Sequence, residues 1–376
     1  MKKKLLFITG SMNQTTQMQQ IADEMTGYDC WFSQLFTDSP LHNALLKHTK
    51  IADNTILGKA FKENAEKYLT SKGYKIDYKA ELNTYDLVVY CSDMVIPMRM
   101  RHKKLVWVQE GMVDPFTKWS NVVKKIYLPP YWTGDTSLNG SSNVCDIYCA
   151  ASEGYKDYFT MRGTEGGKIF VTGMPNYDNL RQSSFNNFSH RDYVMVATSD
   201  VRETYRRDNR LDFIKQCVKI ANGRPLLFKL HPNEEINRAV PEIKQNTPPN
   251  TRVYWAGNTN EMIANCEELI TQYSTVVYTG IALGKRVYSY FDVDELKRLA
   301  PHQNNGVSAK NIAHIVRNFV EFDGKKEDFA KHFHYEPYMD EVEKMLENFK
   351  TKRKKNVASV LTEPVKTALA VGVVNG

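Results

Sequence analysis

Short apolar runs recur along this chain and alternate with longer mixed stretches, the pattern of strands buried on both faces of a parallel sheet with helices covering them. In the first half this spacing predicts strands over Lys4 to Thr9, Leu87 to Cys91, Leu105 to Val108, Ile147 to Ala150 and Ile169 to Val171. A helix is expected over Asn54 to Ser71, stopped by Gly73. The pattern breaks at Thr172-Gly173-Met174-Pro175, and Arg181 to Arg191, rich in Asn and Ser, reads as a linker. It restarts with a strand over Tyr193 to Ala197 and a helix over Tyr205 to Asn222. Strands follow over Leu226 to Leu230, Arg252 to Trp255, Leu269 to Thr271 and Val287 to Phe291. The class is therefore α/β with two sheets. The domains expected are 1–175 and 191–335, followed by a helix and basic tail over 336–376.

Length agrees, because 376 residues exceed one ordinary core and suit two domains. The net charge of +7, from 50 Lys and Arg against 43 Asp and Glu, favours anionic ligands without implying nucleic acid. Met1-Lys2-Lys3-Lys4 resembles the start of a secretory signal, but the apolar run behind it ends at Ile8, so it reads as a first buried strand and the expected location is cytoplasmic. No stretch approaches the ~20 apolar residues of a membrane span, and Ala368 to Val374 is far too short. Membrane contact would then be peripheral. The run Phe349 to Lys355 either meets anionic headgroups at the inner membrane face or is a solvated terminus.

Six cysteines without a Cys-x-x-Cys pair read as reduced, buried thiols. His332-Phe333-His334 offers two metal ligands with no second cluster near it in sequence, so neither metal nor cofactor is expected.

The chemistry concentrates at strand ends, where ligands of open α/β sheets bind. Phe228-Lys229-Leu230-His231-Pro232 runs from a central strand into a turn, and His231 there could donate to a phosphoryl oxygen or serve as a backbone-bonded edge residue. Ser274 and Thr275 open a helix after the strand at Leu269 to Thr271, as a phosphate site or a plain N-cap. Ser199 and Arg202 follow a third strand, with Arg206 and Arg207 beyond, either clamping a diphosphate or forming a solvated face. In the first half Gln109-Glu110-Gly111 places a carboxylate at the end of an apolar strand. Glu110 is the general-base candidate, with Asp114 second. The Gly10 turn lacks the glycine spacing of a dinucleotide fingerprint or a P-loop.

Together these motifs resemble the GT-B glycosyltransferases, in the branch of bacterial capsule, sialic acid, Kdo and CDP-glycerol transferases. Lys229-Leu230-His231-Pro232 looks like that family's Lys-x-His-Pro element, and Ser274-Thr275 with Leu283-Gly284-Lys285 like its Ser-Ser/Thr and Leu-Gly-Lys-Pro elements, Arg286 standing where Pro is usual. Gln109-Glu110-Gly111 is similar to its acidic-acidic-Gly motif, with Gln in place of the first acid.

The resemblance implies two Rossmann-like domains facing across a cleft. It implies a transferase of cell-envelope polysaccharide synthesis moving a sugar or polyol phosphate from a nucleotide-activated, cytidine-linked donor to a glycan or lipid-linked acceptor. Glu110 and His231 would be catalytic, and Ser199, Arg202, Lys229, His231, Pro232, Ser274 and Thr275 would hold the donor. Two alternatives stand beside it. One is an enzyme like the non-hydrolysing UDP-N-acetylglucosamine 2-epimerases, which needs no acceptor; the other is a non-catalytic nucleotide-sugar-binding subunit.

Overall fold

The structure is a computed structural model that describes residues 2–39, 43, 58–203 and 207–338. The chain begins β1 (Lys4–Thr9), α1 (Met12–Glu24), β2 (Asp29–Gln34), α2 (Lys59–Ser71), β3 (Lys75–Ile76), β4 (Leu87–Tyr90), β5 (Lys104–Val108), α3 (Lys118–Lys125), β6 (Ile147–Ala150), α4 (Glu153–Met161) and β7 (Ile169–Val171). It continues with β8 (Val194–Ala197), α5 (Arg210–Ala221), β9 (Leu226–Lys229), α6 (Ile236–Gln245), β10 (Arg252–Tyr254), α7 (Thr259–Asn265), β11 (Glu268–Thr271), α8 (Val277–Ala282), β12 (Arg286–Tyr288), α9 (Val293–Leu299), α10 (Ser308–Glu321) and α11 (Phe329–His332).

Two parallel sheets result. The first has the order β3-β2-β1-β4-β5-β6-β7 and the second β10-β9-β8-β11-β12. In both, the order reverses beside the first-formed strand, so each sheet has a crevice at its carboxyl edge where a ligand can lie. The α/β class and the double sheet are those expected from the apolar pattern. The central strands β4, β5, β6, β8, β9 and β11 are buried almost throughout, which is why their sequences are continuously apolar rather than alternating.

Two strands escaped the sequence reading. β2, Asp-Cys-Trp-Phe-Ser-Gln, is only half-buried over its first three residues and polar at both ends, and β3 is a two-residue edge strand tied to it by the Lys75–Asp29 ion pair at 2.7 Å. Helix α5 starts at Arg210 rather than 205, because Asn209 takes the N-cap position and its side chain accepts from the Asp212 amide. Residues 54–57 of the other expected helix lie outside the described residues, as do Arg206, the basic run 349–355 and residues 368–374. Gly73, at a φ of +78°, closes α2 as expected.

Everything described up to Pro337 belongs to one compact unit. Helix α10, inside the span expected to form the second domain, packs instead on the first sheet: Ile312, Ile315, Val316 and Phe319 share a core with Leu5, Phe7, Val89 and Val106. Lys104 Nζ caps its end, donating to Phe319 O at 2.8 Å and Phe322 O at 2.7 Å. On the other face, Val277, Tyr278, Leu296 and Leu299 of the second half enter a core with Trp107, Tyr148 and Tyr155 of the first. The two sheets thus share a buried seam as well as a cleft.

All six cysteines carry free thiols, five of them buried. Among the described residues no helix is long and apolar enough to cross a membrane. No group of three or more His, Cys, Asp and Glu among them is arranged to hold a metal ion, and His332 Nδ1 lies 2.8 Å from Asp328 O in its own helix.

Candidate functional site

The carboxyl ends of β5, β8, β9, β11 and β12 converge. Of the described residues, Met112, Val113, Asp114 and Thr136 from the first half and Ser199, Asp200, Val201, Tyr273, Thr275 and Phe291 from the second line one cavity of about 180 Å3. The loop after β5 reaches the second sheet directly: the Met112 amide donates to Thr275 Oγ1 at 3.4 Å. Gly111 permits this approach, since a Cβ there would stand 3.2 Å from Thr275 Oγ1. The Glu110-Gly111 and Ser274-Thr275 elements, far apart in the chain, are neighbours.

Glu110 is held from the first sheet. Asn13 Nδ2, at the start of α1, donates to its Oε1 and Gln14 Nε2 to its Oε2 at 3.4 Å, while Asn176 Nδ2 fixes Asn13 through Oδ1 and the carbonyl, both at 2.8 Å. Desolvation raises the Glu110 carboxyl above its ordinary value, against the lowering effect of the Asn13 and Gln14 bonds. The side chain stands beside the wall of the cavity rather than in it, and the carboxylates in the wall are Asp114 and Asp200. Asp114 accepts from the Thr136 hydroxyl at 2.7 Å and amide at 3.0 Å.

Gln109 has a structural task that an acid could not perform. Its Oε1 accepts from the Ala151 amide at 2.9 Å while its Nε2 donates to Gly111 O at 3.0 Å, and it is fully buried. The bond to Gly111 O needs a donor, so an amide fits this position where a carboxylate would not.

The His231 turn is built from buried charge. Glu234 accepts from the His231 amide at 2.9 Å, from the Thr198 hydroxyl and from Arg210 Nη2, all within the protein interior. The His231 ring itself is partly exposed. Asn233 N–H donates to its Nδ1 at 3.2 Å, which leaves the proton of the neutral ring on Nε2 and makes that edge a donor. Asp200 Oδ2 lies 3.6 Å from the same Nδ1, so a carboxylate of the cavity wall adjoins the histidine. Pro232 is exposed at the turn.

Of the other donor candidates, Ser199 lies in the cavity wall and its Oγ accepts from the Tyr273 amide at 3.2 Å, joining the β8 and β11 ends. Ser274 is half-buried beside Thr275, but neither caps the short helix α8, whose N-cap position is Val276. Lys229 is turned into the interior, where its ammonium donates to Leu230 O at 2.9 Å and burial lowers its pKa. Arg202 is engaged by Glu242 at 2.7 Å rather than by the cavity. The sequence could not distinguish these two cations from ligand contacts, because the inward turn of Lys229 and the pairing of Arg202 with Glu242 of α6 appear only in the fold. Glu234, Asp200 and Arg210 were missed for the same reason: none stands out until β8, β9 and α5 are brought together.

No protein-family model matches the chain, and no curated protein matches it in sequence. Its fold does match solved structures. A putative UDP-N-acetylglucosamine 2-epimerase from Listeria monocytogenes matches with a TM-score of 0.55 at 13% identity, covering 90% of this chain and 100% of that one. The S. aureus MnaA–UDP co-structure matches with a TM-score of 0.53 at 11% identity, over 90% and 99% of the two chains. The Methanocaldococcus jannaschii UDP-GlcNAc 2-epimerase in complex with UDP-GlcNAc and UDP gives 0.50 at 15%, over 84% and 99%. These structures share the GT-B double-sheet fold, and the likeness is one of fold.

Proposed function

We propose that this chain acts on a nucleotide-activated sugar, and that its reaction is epimerisation of a UDP-linked N-acetylated sugar. The observation that carries this reading is the convergence of Asp114 with Ser199, Asp200, Tyr273 and Thr275 on one cavity at the carboxyl ends of both sheets. Hydroxyls and the Nε2–H of the adjoining His231 are the donors a diphosphate calls for, and the net positive charge favours such an anion. Inverting one sugar carbon removes a proton from one face and returns one to the other, which needs two proton-carrying groups; Asp114 and Glu110 on the first-sheet side are the candidates. The reading is supported by the fold, which is that of solved proteins described as UDP-N-acetylglucosamine 2-epimerases, one of them in complex with UDP-GlcNAc and UDP, and of the S. aureus MnaA–UDP co-structure.

The test is to incubate the purified chain with UDP-N-acetylglucosamine alone in D2O and follow the sugar protons by NMR. New sugar signals with deuterium at the inverted carbon are expected without any acceptor. Tight UDP binding with unchanged substrate would sink the epimerase reading and leave the second.

That second reading is transfer to a glycan or lipid-linked acceptor from a cytidine-linked donor. The raised pKa of Glu110 favours it, since a carboxyl so tuned, one residue from the loop that meets Thr275, suits removal of a hydroxyl proton. Here Glu110 would be the base, while His231, Ser274 and Thr275 stabilise the departing phosphate. Nucleotide release that depends on added acceptor distinguishes it.

A further inference from the structure

The buried ion pair beneath the His231 turn is larger than the turn needs. Arg210 bonds Glu234 through Nη2 and approaches Asp208 through Nε at 3.3 Å, and Asp208 in turn accepts from Gln272 Nε2 at 3.0 Å. Arg210, Glu234 and Asp208 have side chains no more than 3% exposed. This chain of contacts touches three strand ends: Thr198 after β8, His231 after β9 and Gln272 after β11. Those three loops carry Ser199, His231 and Tyr273 to Thr275, the second-sheet side of the cavity and its histidine.

Buried ion pairs of this kind are weak contributors to stability, because desolvation offsets their attraction and apolar residues of similar volume often serve as well. They do fix geometry, since each carboxylate oxygen accepts only from donors placed in particular directions. Glu234 Oε2 takes both the Thr198 hydroxyl and the His231 amide, the latter also lying 3.1 Å from Thr198 Oγ1, so a single atom sets the spacing of the β8 and β9 loops.

We infer that Glu234, charged and oriented by Arg210, is the positioning residue of the anion-binding turn: it holds the His231 ring and the Ser199 loop at the separation a nucleotide phosphate requires. This rests on the nucleotide-sugar reading above. Glu234 touches no ligand itself and acts through His231 and Thr198.

The experiment uses the full chain with UDP and CDP as probes, measured by titration calorimetry, with thermal unfolding recorded for every variant. Glu234→Gln keeps the size of the side chain but removes its charge and turns an amide toward Arg210. It is expected to weaken nucleotide binding roughly tenfold or more. His231→Ala is expected to do the same, and the double variant to lose less than the two single losses combined, because Glu234 acts in part through His231. Thr198→Ala leaves the ion pair intact and covers the case in which Glu234→Gln fails to fold; it is expected to weaken binding severalfold with little change in melting temperature, and Thr198→Ser to restore it. A Glu234→Gln that melts earlier yet binds as tightly as wild type, or whose loss adds fully to that of His231→Ala, overturns the inference while the nucleotide reading stands. Wild-type chain that binds neither UDP nor CDP overturns both.

Discussion

Gly111 and Thr275 stand against each other across the cleft, with 3.2 Å between Thr275 Oγ1 and the place a Cβ of residue 111 would occupy. The adjacent Met112 amide donates to the same hydroxyl, so the first-sheet loop is docked on the element expected to meet phosphate. Gly111→Ala tightens this contact beyond what real Cβ atoms ordinarily show, and the threonine must yield by a few tenths of an ångström. Nucleotide affinity should fall about fivefold, a cost of ~1 kcal/mol, with the melting temperature nearly unchanged. Adding Thr275→Ala removes the crowding atom, so calorimetry of the double variant should show no further penalty from residue 111.

The seam beside the cavity has its own test. Tyr155 and Tyr278 bring their hydroxyls to 2.6 Å, both rings fully buried, one on a helix of the first sheet and one on a helix of the second. Removing one hydroxyl takes from the other its partner at 2.6 Å within a buried site. Tyr155→Phe and Tyr278→Phe should each lower unfolding free energy by about 1–2 kcal/mol, and the double variant should lose less than their sum, as read from denaturant titrations.

Gly154 is the tighter point of that seam. A Cβ there would lie 2.1 Å from the backbone oxygen of Arg298, and the neighbouring bonds, Ser152 Oγ to Leu299 O at 2.9 Å and His302 N to Ala151 O at 3.0 Å, tie the two segments together on either side of it. Gly154→Ala should therefore cost about 3 kcal/mol or more in denaturation, well beyond the ~1 kcal/mol that Ala gains over Gly within a helix. A variant as stable as wild type would show that α4 and α9 can part without penalty.

How much of this was legible beforehand differs by element. Strands such as Ile147–Ala150 and Ile169–Val171 were read to the residue because burial on both faces makes their sequences apolar throughout. β2 was not, since Asp29 and Gln34 make it polar at both ends and its first half is partly solvated. At the site, His231, Ser199 and Thr275 were visible because a polar residue directly after a buried strand has few structural reasons to be there. Glu234 looked like any acidic residue in a turn, and Lys229 like a cation available to ligand. Only the packing of β8, β9 and α5 makes the first a buried hub, and only the inward turn of the second removes it from the cavity.

Glu110 offers a prediction in pH. Its folded pKa is raised above the ordinary carboxyl value of 4.5 by burial, with Asn13 and Gln14 opposing the shift. The folded state therefore holds the proton more firmly than the unfolded chain does. Glu110 contributes stability that is fully present below its unfolded value and lost as pH climbs through the folded one. Glu110→Gln removes that loss, so the variant should be the more stable of the two relative to wild type at pH 7.5, the advantage disappearing by pH 4 in paired denaturation curves. If the carboxylate is the working base, wild-type turnover rises as pH passes through the same raised value, and Glu110→Gln is inactive at every pH. Asn13→Ala takes away a bond to the charged form and pushes the carboxyl further up, so the acid limb of its rate profile should move to higher pH while the plateau is kept. An acid limb that stays in place in Asn13→Ala would assign it to another group, with Asp114 of the cavity wall the next to be substituted.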